Sequence, residues 1–272
     1  MNRALKQLAY FLFFVIVIGS ISGGLYFWLR TEATCTDGVK NQEEEGIDCG
    51  GPCANICLES LVEMRVLGSE LVKIRENDYD FVAKINNPNL GHGSGEAKYR
   101  VELKDASGGV IKTINGEFHI LPGQTRYIFI SPIQTDTEVV DTEMTITDFN
   151  WQQLTDFSVG DIKLTVRRKE YTEVDNGTIF GKVEGVIFND SEFDFDKVEV
   201  LVVLNDVSGD IVAAGTTNIR TLLSDKENFY EISWFRPFTG SVSQIEVQAT
   251  TNAFENNNFL RRYGGDEMFQ EL

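Results

Sequence analysis

Val101-Glu-Leu103-Lys-Asp105-Ala-Ser107-Gly108-Gly-Val110 returns 101 residues further on as Val202-Val-Leu204-Asn-Asp206-Val-Ser208-Gly209-Asp-Ile211. In each stretch apolar residues alternate up to an Asp-x-Ser-Gly element and resume after it. That is the pattern of a β-hairpin whose turn uses Asp to bond the local backbone and Gly to reach positive φ. The same offset carries Leu121 onto Leu222, Phe129 onto Tyr230, Met144 onto Ile245 and Ile146 onto Val247. The chain therefore reads as two copies of one β domain, each close to the size of an immunoglobulin-like unit.

Working outward, period-two alternation recurs at Val62, Met64 and Val66, at Tyr79, Phe81, Ala83 and Ile85, at Tyr99, at Ile162, Leu164 and Val166, and at Val198 and Val200. Clusters of Gly, Asn, Asp and Ser separate these runs, and helical periodicity is absent. The expectation is all-β: two tandem immunoglobulin-like β-sandwiches over 58–150 and 159–254, each with a buried inner face and a wet outer face. Each copy is expected to fold alone. Residues 151–158, with Trp151 and Phe157, form a packed linker, and 255–272 read as a C-terminal tail ending in a short helix.

At the other end, Leu8 to Leu29 reads LAYFLFFVIVIGSISGGLYFWL, 22 residues without a charge. At ~1.5 Å per residue such a helix reaches about 33 Å, enough for a hydrocarbon core of roughly 30 Å. Arg3 and Lys6 precede it, while Glu32, Asp37 and Glu43 to Glu45 follow Arg30, so residues 1–7 are expected in the cytoplasm and 31–272 outside. A cleaved signal peptide is the rival, with small residues from Gly19 to Gly23 as cleavage site; the length of the apolar stretch argues for an uncleaved anchor. Gly19 with Gly23, and Ser20 with Gly24, lie four apart, the spacing of close helix packing in membranes.

Beyond the span, 21 basic residues face 42 acidic ones, a formal charge of −21. Nucleic acid is thereby excluded as a partner, and divalent cations or basic surfaces are attracted. All four cysteines, Cys35, Cys49, Cys53 and Cys57, fall in the segment 30–57. An even count in an exported segment points to two disulfides, with three pairings open; four thiolates on zinc are the competing reading. Between the cysteines, Asp37, Asn41, Glu44 and Asp48 bring hard oxygen ligands together, which suits calcium; the alternative is that these side chains cap turns and face water.

The segment matches C-x-D-G-x-x-N-x-x-E-x-x-x-D-C-G-G-x-C at every fixed position from Cys35 to Cys53, and so resembles a short module of bacterial and archaeal surface proteins. It departs from that module in placing three residues, rather than two, between Cys53 and Cys57. The repeats resemble FxLYD-type domains through Val101, Leu103, Asp105 and Gly108 and through Val202, Leu204, Asp206 and Gly209, with Val where the family has Phe and Lys104 or Asn205 where it has Tyr. Gly185-Val-Ile-Phe-Asn189-Asp-Ser191 resembles the family's strand end, and Ile85-Asn-Asn-Pro88-Asn89 is its counterpart. The resemblance implies an adhesive or structural module and transfers no catalytic residue.

Only His92 and His119 are available for acid–base work, and neither belongs to a nucleophile motif. Both are read as structural, His92 within a mobile loop, Asn86 to Glu96. Asn176 and Asn189 head N-x-[ST] acceptor patterns. The expected function is a membrane-anchored, non-enzymatic interaction or scaffold module of the cell envelope, with a protein partner. The alternatives are an accessory subunit of a membrane complex such as a pilus or export machine, and an enzyme whose site the sequence hides.

Overall fold

The computed structural model describes residues 3–29, 35–41, 43–53, 56–174, 177–238 and 240–264. Two compact units divide the chain, Met1–Leu61 and Val62–Leu272. The first contains helix α1 (Arg3–Leu29), whose stretch Lys6–Tyr26 is long and apolar enough to cross a membrane and has none of its described residues buried in the protein. The flanking Arg30 and Glu32 lie outside the described residues. The same unit holds the cysteine segment, in which Cys35 bonds Cys53 and Cys49 bonds Cys57.

The second unit is all-β. Its first half runs β1 (Arg65–Arg75), β2 (Asp78–Asn86), β3 (His92–Lys104), β4 (Val110–Ile120), β5 (Thr125–Gln134) and β6 (Asp141–Phe149). After the two-residue β7 (Gln152–Gln153) the plan repeats as β8 (Leu164–Glu173), β9 (Gly181–Asn189), β10 (Phe195–Asn205), β11 (Ile211–Leu222), β12 (Glu227–Trp234) and β13 (Gln244–Thr250). Strand orders β1-β2-β5 and β4-β3-β6 in the first half match β8-β9-β12 and β11-β10-β13 in the second, all antiparallel. Inward residues of both sheets, such as Phe81 and Ile85 from one and Val101 and Leu103 from the other, share one core in the first half. Val183 and Ile187 with Val200 and Leu204 do so in the second. Each half is therefore a sandwich of two three-stranded sheets, joined in the first half by β7 beside β3.

The hairpin turns behave as their residues dictate. Asp105 Oδ1 accepts the Ser107 and Gly109 amides at 2.8 and 3.0 Å; Asp206 Oδ1 accepts those of Ser208 and Asp210 at 2.7 and 3.1 Å. Gly108 and Gly209 take φ of 81° and 92°, where a side chain would be strained.

The 101-residue offset does not hold throughout. It fits β3 and β10, where Val101 pairs with Ile114 and Val202 with Gly215. The turn after Leu222 then carries one residue more than the turn after Leu121, since Asn87 N donates to Gln124 O and Asn189 N to Lys226 O. In β5 and β12 the offset is accordingly 102, so the equivalent of Tyr230 is Ile128, not Phe129. A one-residue slip changes the face of a strand, and Phe129 does face away from the core that Ile128 enters. Val101 pairs with Met144 and Val202 with Val247, an offset of 103 in the last strands; the expected match of Met144 to Ile245 is corrected likewise.

The segment expected as a tail from 255 is built into the second sandwich as far as residue 264. Helix α2 (Asn257–Tyr263) is capped by Asn256, whose side chain accepts the amides of Asn258 and Phe259. Its buried Phe259 and Tyr263 stack edge-on against Phe157 of the linker, with centroids 5.5 and 5.4 Å apart. Seven residues form too short a helix to persist alone, and aromatic packing supplies its stability. Residues 265–272 lie outside the described part.

Candidate functional site

In the cysteine knot, all four predicted ligand residues are engaged in turns. Asp48 accepts the amides of Asp37 and Gly38 at 2.9 and 2.8 Å. Asp37 accepts Val39 N at 2.9 Å and Asn41 Nδ2 at 2.8 Å, and the buried Glu44 accepts Asn41 N at 3.0 Å. Gly50 and Gly51 adopt φ of 73° and 58° between the two disulfides, and a Cβ on Gly51 would strike the Glu43 carbonyl. Asn41 Oδ1 is buried without a hydrogen-bond partner. Among the described residues, the metal-ligating side chains that converge are Cys35, Glu44 and Cys53. Their two sulfurs are joined to each other, so no thiolate is left for zinc.

The loop expected to be mobile is tied down by a buried clasp at its base, with Leu90 exposed at its tip. Asn87, at zero exposure, donates Nδ2 to His92 O at 2.7 Å and to Leu121 O at 3.0 Å. Asn189 repeats the clasp, donating to Phe193 O at 2.7 Å and Leu222 O at 3.1 Å. The glycine-rich composition of the loop hides this because one buried amide, not the loop's own sequence, ties it down. Asn189 is equally inaccessible, which removes it as a glycan acceptor in the folded protein; Asn176 lies outside the described residues. His92 opens β3, not a flexible loop; it is 2% exposed, and burial pushes its imidazole below the usual value. Burial, with Arg126 and Lys197 nearby, pushes His119 down to about 2. Neutral rings at such positions are poor acid–base groups at physiological pH.

The feature that sequence reasoning misses is the surface shared by the two sandwiches. Val82, Leu201, Val203 and Ala214 form a third buried cluster, flanked by Tyr127, Phe129 and Ile211. Around it, Gln248 pairs with the edge of β5 as another strand would, accepting Tyr127 N at 2.8 Å and donating to Thr125 O at 3.0 Å. Tyr127 donates its hydroxyl to Glu246 at 2.8 Å, and Glu70 accepts Ile211 N at 3.1 Å. The buried Arg126 gives Nη1 to His119 O at 2.7 Å and sets Nη2 3.6 Å from Glu199. Beside this joint opens a cleft of about 340 Å³ lined by Asp80, Phe129, Ser131, Ala214, Trp234 and Phe238.

No protein-family profile and no curated protein matches the chain. Two solved structures show a loose likeness. Red sea bream transglutaminase is 11% identical over 68% of this chain and 29% of its own, with a TM-score of 0.20. An exo-chitosanase of Amycolatopsis orientalis is 10% identical over 63% of this chain and 25% of its own, with a TM-score of 0.17. The chain spans less than a third of either enzyme, and at these TM-scores neither likeness bears on its function.

Proposed function

We propose that the chain is a membrane-anchored envelope protein whose exported part is a non-enzymatic interaction or scaffold module of FxLYD-like kind. The observation that carries this reading is the joint. Two sandwiches that share a buried apolar cluster and a ring of side-chain-to-backbone bonds hold their outer surfaces at a fixed relative setting, as a scaffold requires. Two disulfides in the cysteine segment fit an oxidising compartment, and the apolar helix before it fits an anchor with residues 1–7 in the cytoplasm. The exposed Gly19, Gly23 and Gly24, with open space around each, favour lateral helix packing in the bilayer, and with it the second reading of an accessory subunit in a membrane complex. Protease added to intact spheroplasts is expected to degrade the protein down to its anchor. Complete protection would overturn the assignment, and release of the whole exported part without an anchor would favour a cleaved signal sequence.

A further inference from the structure

The cleft beside the joint exists because one stretch of β11 carries small side chains. Ala213, Ala214 and Gly215 stand where the first repeat has Lys112, Thr113 and Ile114, since Val202 pairs with Gly215 as Val101 does with Ile114. A Cβ on Gly215 would lie 2.8 Å from Ile232 and 3.4 Å from the Trp234 ring, so the indole sits in space that the glycine leaves. Trp234 is fixed there, its Nε1 donating to Ala214 O at 3.0 Å and its carbonyl accepting Phe180 N at 2.9 Å. Phe238 packs edge-on to the indole at 5.8 Å and tilts against Tyr171 at 6.4 Å. Arg236 is thereby held between two anchored aromatics, and Pro237 after it restricts its backbone.

Arg236 lines the cleft half-buried, and among the described residues its guanidinium has no hydrogen bond or ion pair. Its charge is felt at Asp80 on the same cleft. Two other charged groups share the lining. Lys73 is spent on Glu138 at 2.6 Å, and Asp80 is only 6% exposed, with Oδ1 buried and the Ser131 hydroxyl on its carboxylate. The uncompensated charge open to a ligand is therefore the guanidinium. It offers five N–H donors and no acceptor, and its planar fork matches a carboxylate bidentately. We propose that this cleft binds an organic carboxylate, its oxygens on the Arg236 guanidinium and its hydrocarbon against Trp234 and Phe238. A volume of about 340 Å³ suits a small acid or the end of a peptide. The net charge of −18 opposes an anion at long range, yet exposed charges more than ~8 Å away are largely screened at physiological salt, so contact with the guanidinium decides. Burial pushes the Asp80 carboxyl up, which lessens its own opposition to an anion.

The test is a titration of the full chain in a non-ionic detergent at ~0.15 M salt, read by tryptophan emission, with hexanoate, hexanol and hexylammonium, and with acetyl-Gly-Leu as free acid and as amide. Hexanoate is expected to give a saturable change. Hexanol, which also controls for partition into the micelle, and hexylammonium should give none over the same range, and Arg236→Gln should lose about tenfold or more in affinity. Saturation by the peptide acid as well, without its amide, identifies a chain terminus as ligand; saturation by hexanoate alone identifies a small acid. An equal response to hexanol, tighter binding of hexylammonium, no response to either carboxylate, or unchanged affinity in a folded Arg236→Gln variant overturns the proposal. The ligand comparisons are made on the unaltered protein, so they decide the matter even if Arg236→Gln fails to fold.

Discussion

In β9, Gly181, Val183, Gly185, Ile187 and Asn189 are buried and the residues between them half-exposed, whereas the equivalent β2 is buried without a break from Tyr79 to Ala83. The outer face of β9 carries Lys182 and Glu184, paired at 2.8 Å, with Glu231 at 3.9 Å from the same ammonium. The outer face of β2 carries Asp80 and Val82 and lies under the second sandwich. The third strands show the converse. In β3 the outward Arg100 is exposed and Glu102 half-exposed; their equivalents in β10, Leu201 and Val203, are buried. The two repeats share a strand plan but divide the labour: one offers its β2–β5 face, the other its β10–β11 face, and the joint is made of unlike surfaces. A repeat in sequence thus need not mean a repeat in burial.

The largest effect expected comes from giving the second repeat the residue of the first. Leu201→Arg places an unpaired charge in the shared cluster and should cost about 3–5 kcal/mol in urea unfolding. The reciprocal Arg100→Leu, on an exposed face, should stay within about 0.5 kcal/mol. Comparable losses from both would erase the asymmetry between the faces.

The next effect tests likeness instead of difference. Asn87→Ala and Asn189→Ala each strip a donor from two buried carbonyls and should each cost about 2–3 kcal/mol. If one costs much more than the other, the clasps are not equivalent and the repeat is looser than its strand order suggests.

A smaller effect concerns Asp80, whose carboxyl burial raises. With the folded value above the unfolded one, the folded state holds the extra proton between the two values, and stability falls as pH rises through that window. Above it the burial penalty is complete; below the ordinary carboxylate range it is absent. Asp80→Asn should therefore raise the melting temperature at neutral pH, with the gain shrinking as the medium is acidified toward the usual aspartate value. A gain independent of pH would show that Asp80 is not the titrating group.

Much of this was legible in the residues. The Asp-x-Ser-Gly turns announced both hairpins, alternation announced an all-β fold, and clustered cysteines announced two disulfides. For β10 alternation led to the expectation of a wet outer face, whereas the apolar run from Val200 to Leu204 is the mark of a strand covered on both faces. For β2 no such signal existed. Asp80 and Lys84 lie on its outward face, and only a partner distant in sequence decides whether that face is wet. The clasp was hidden because Asn87 and Asn189 look like ordinary turn residues until the second carbonyl partner of each, more than thirty positions away, is in place. Helix α2 was short enough to pass for a tail, and its aromatic docking depends on Phe157 and Phe193 far up the chain.

The central claim is that the shared cluster couples the two sandwiches. Trp151 packs on the first core and Trp234 on the second, so each reports on one repeat. Urea unfolding of the full chain in detergent, followed by emission in Trp234→Phe and Trp151→Phe variants on a Trp28→Phe background, reads the two repeats separately. Coincident midpoints, after correction for each substitution's own destabilisation, are predicted. Two well-separated transitions would contradict the account and show two sandwiches that unfold independently and merely touch.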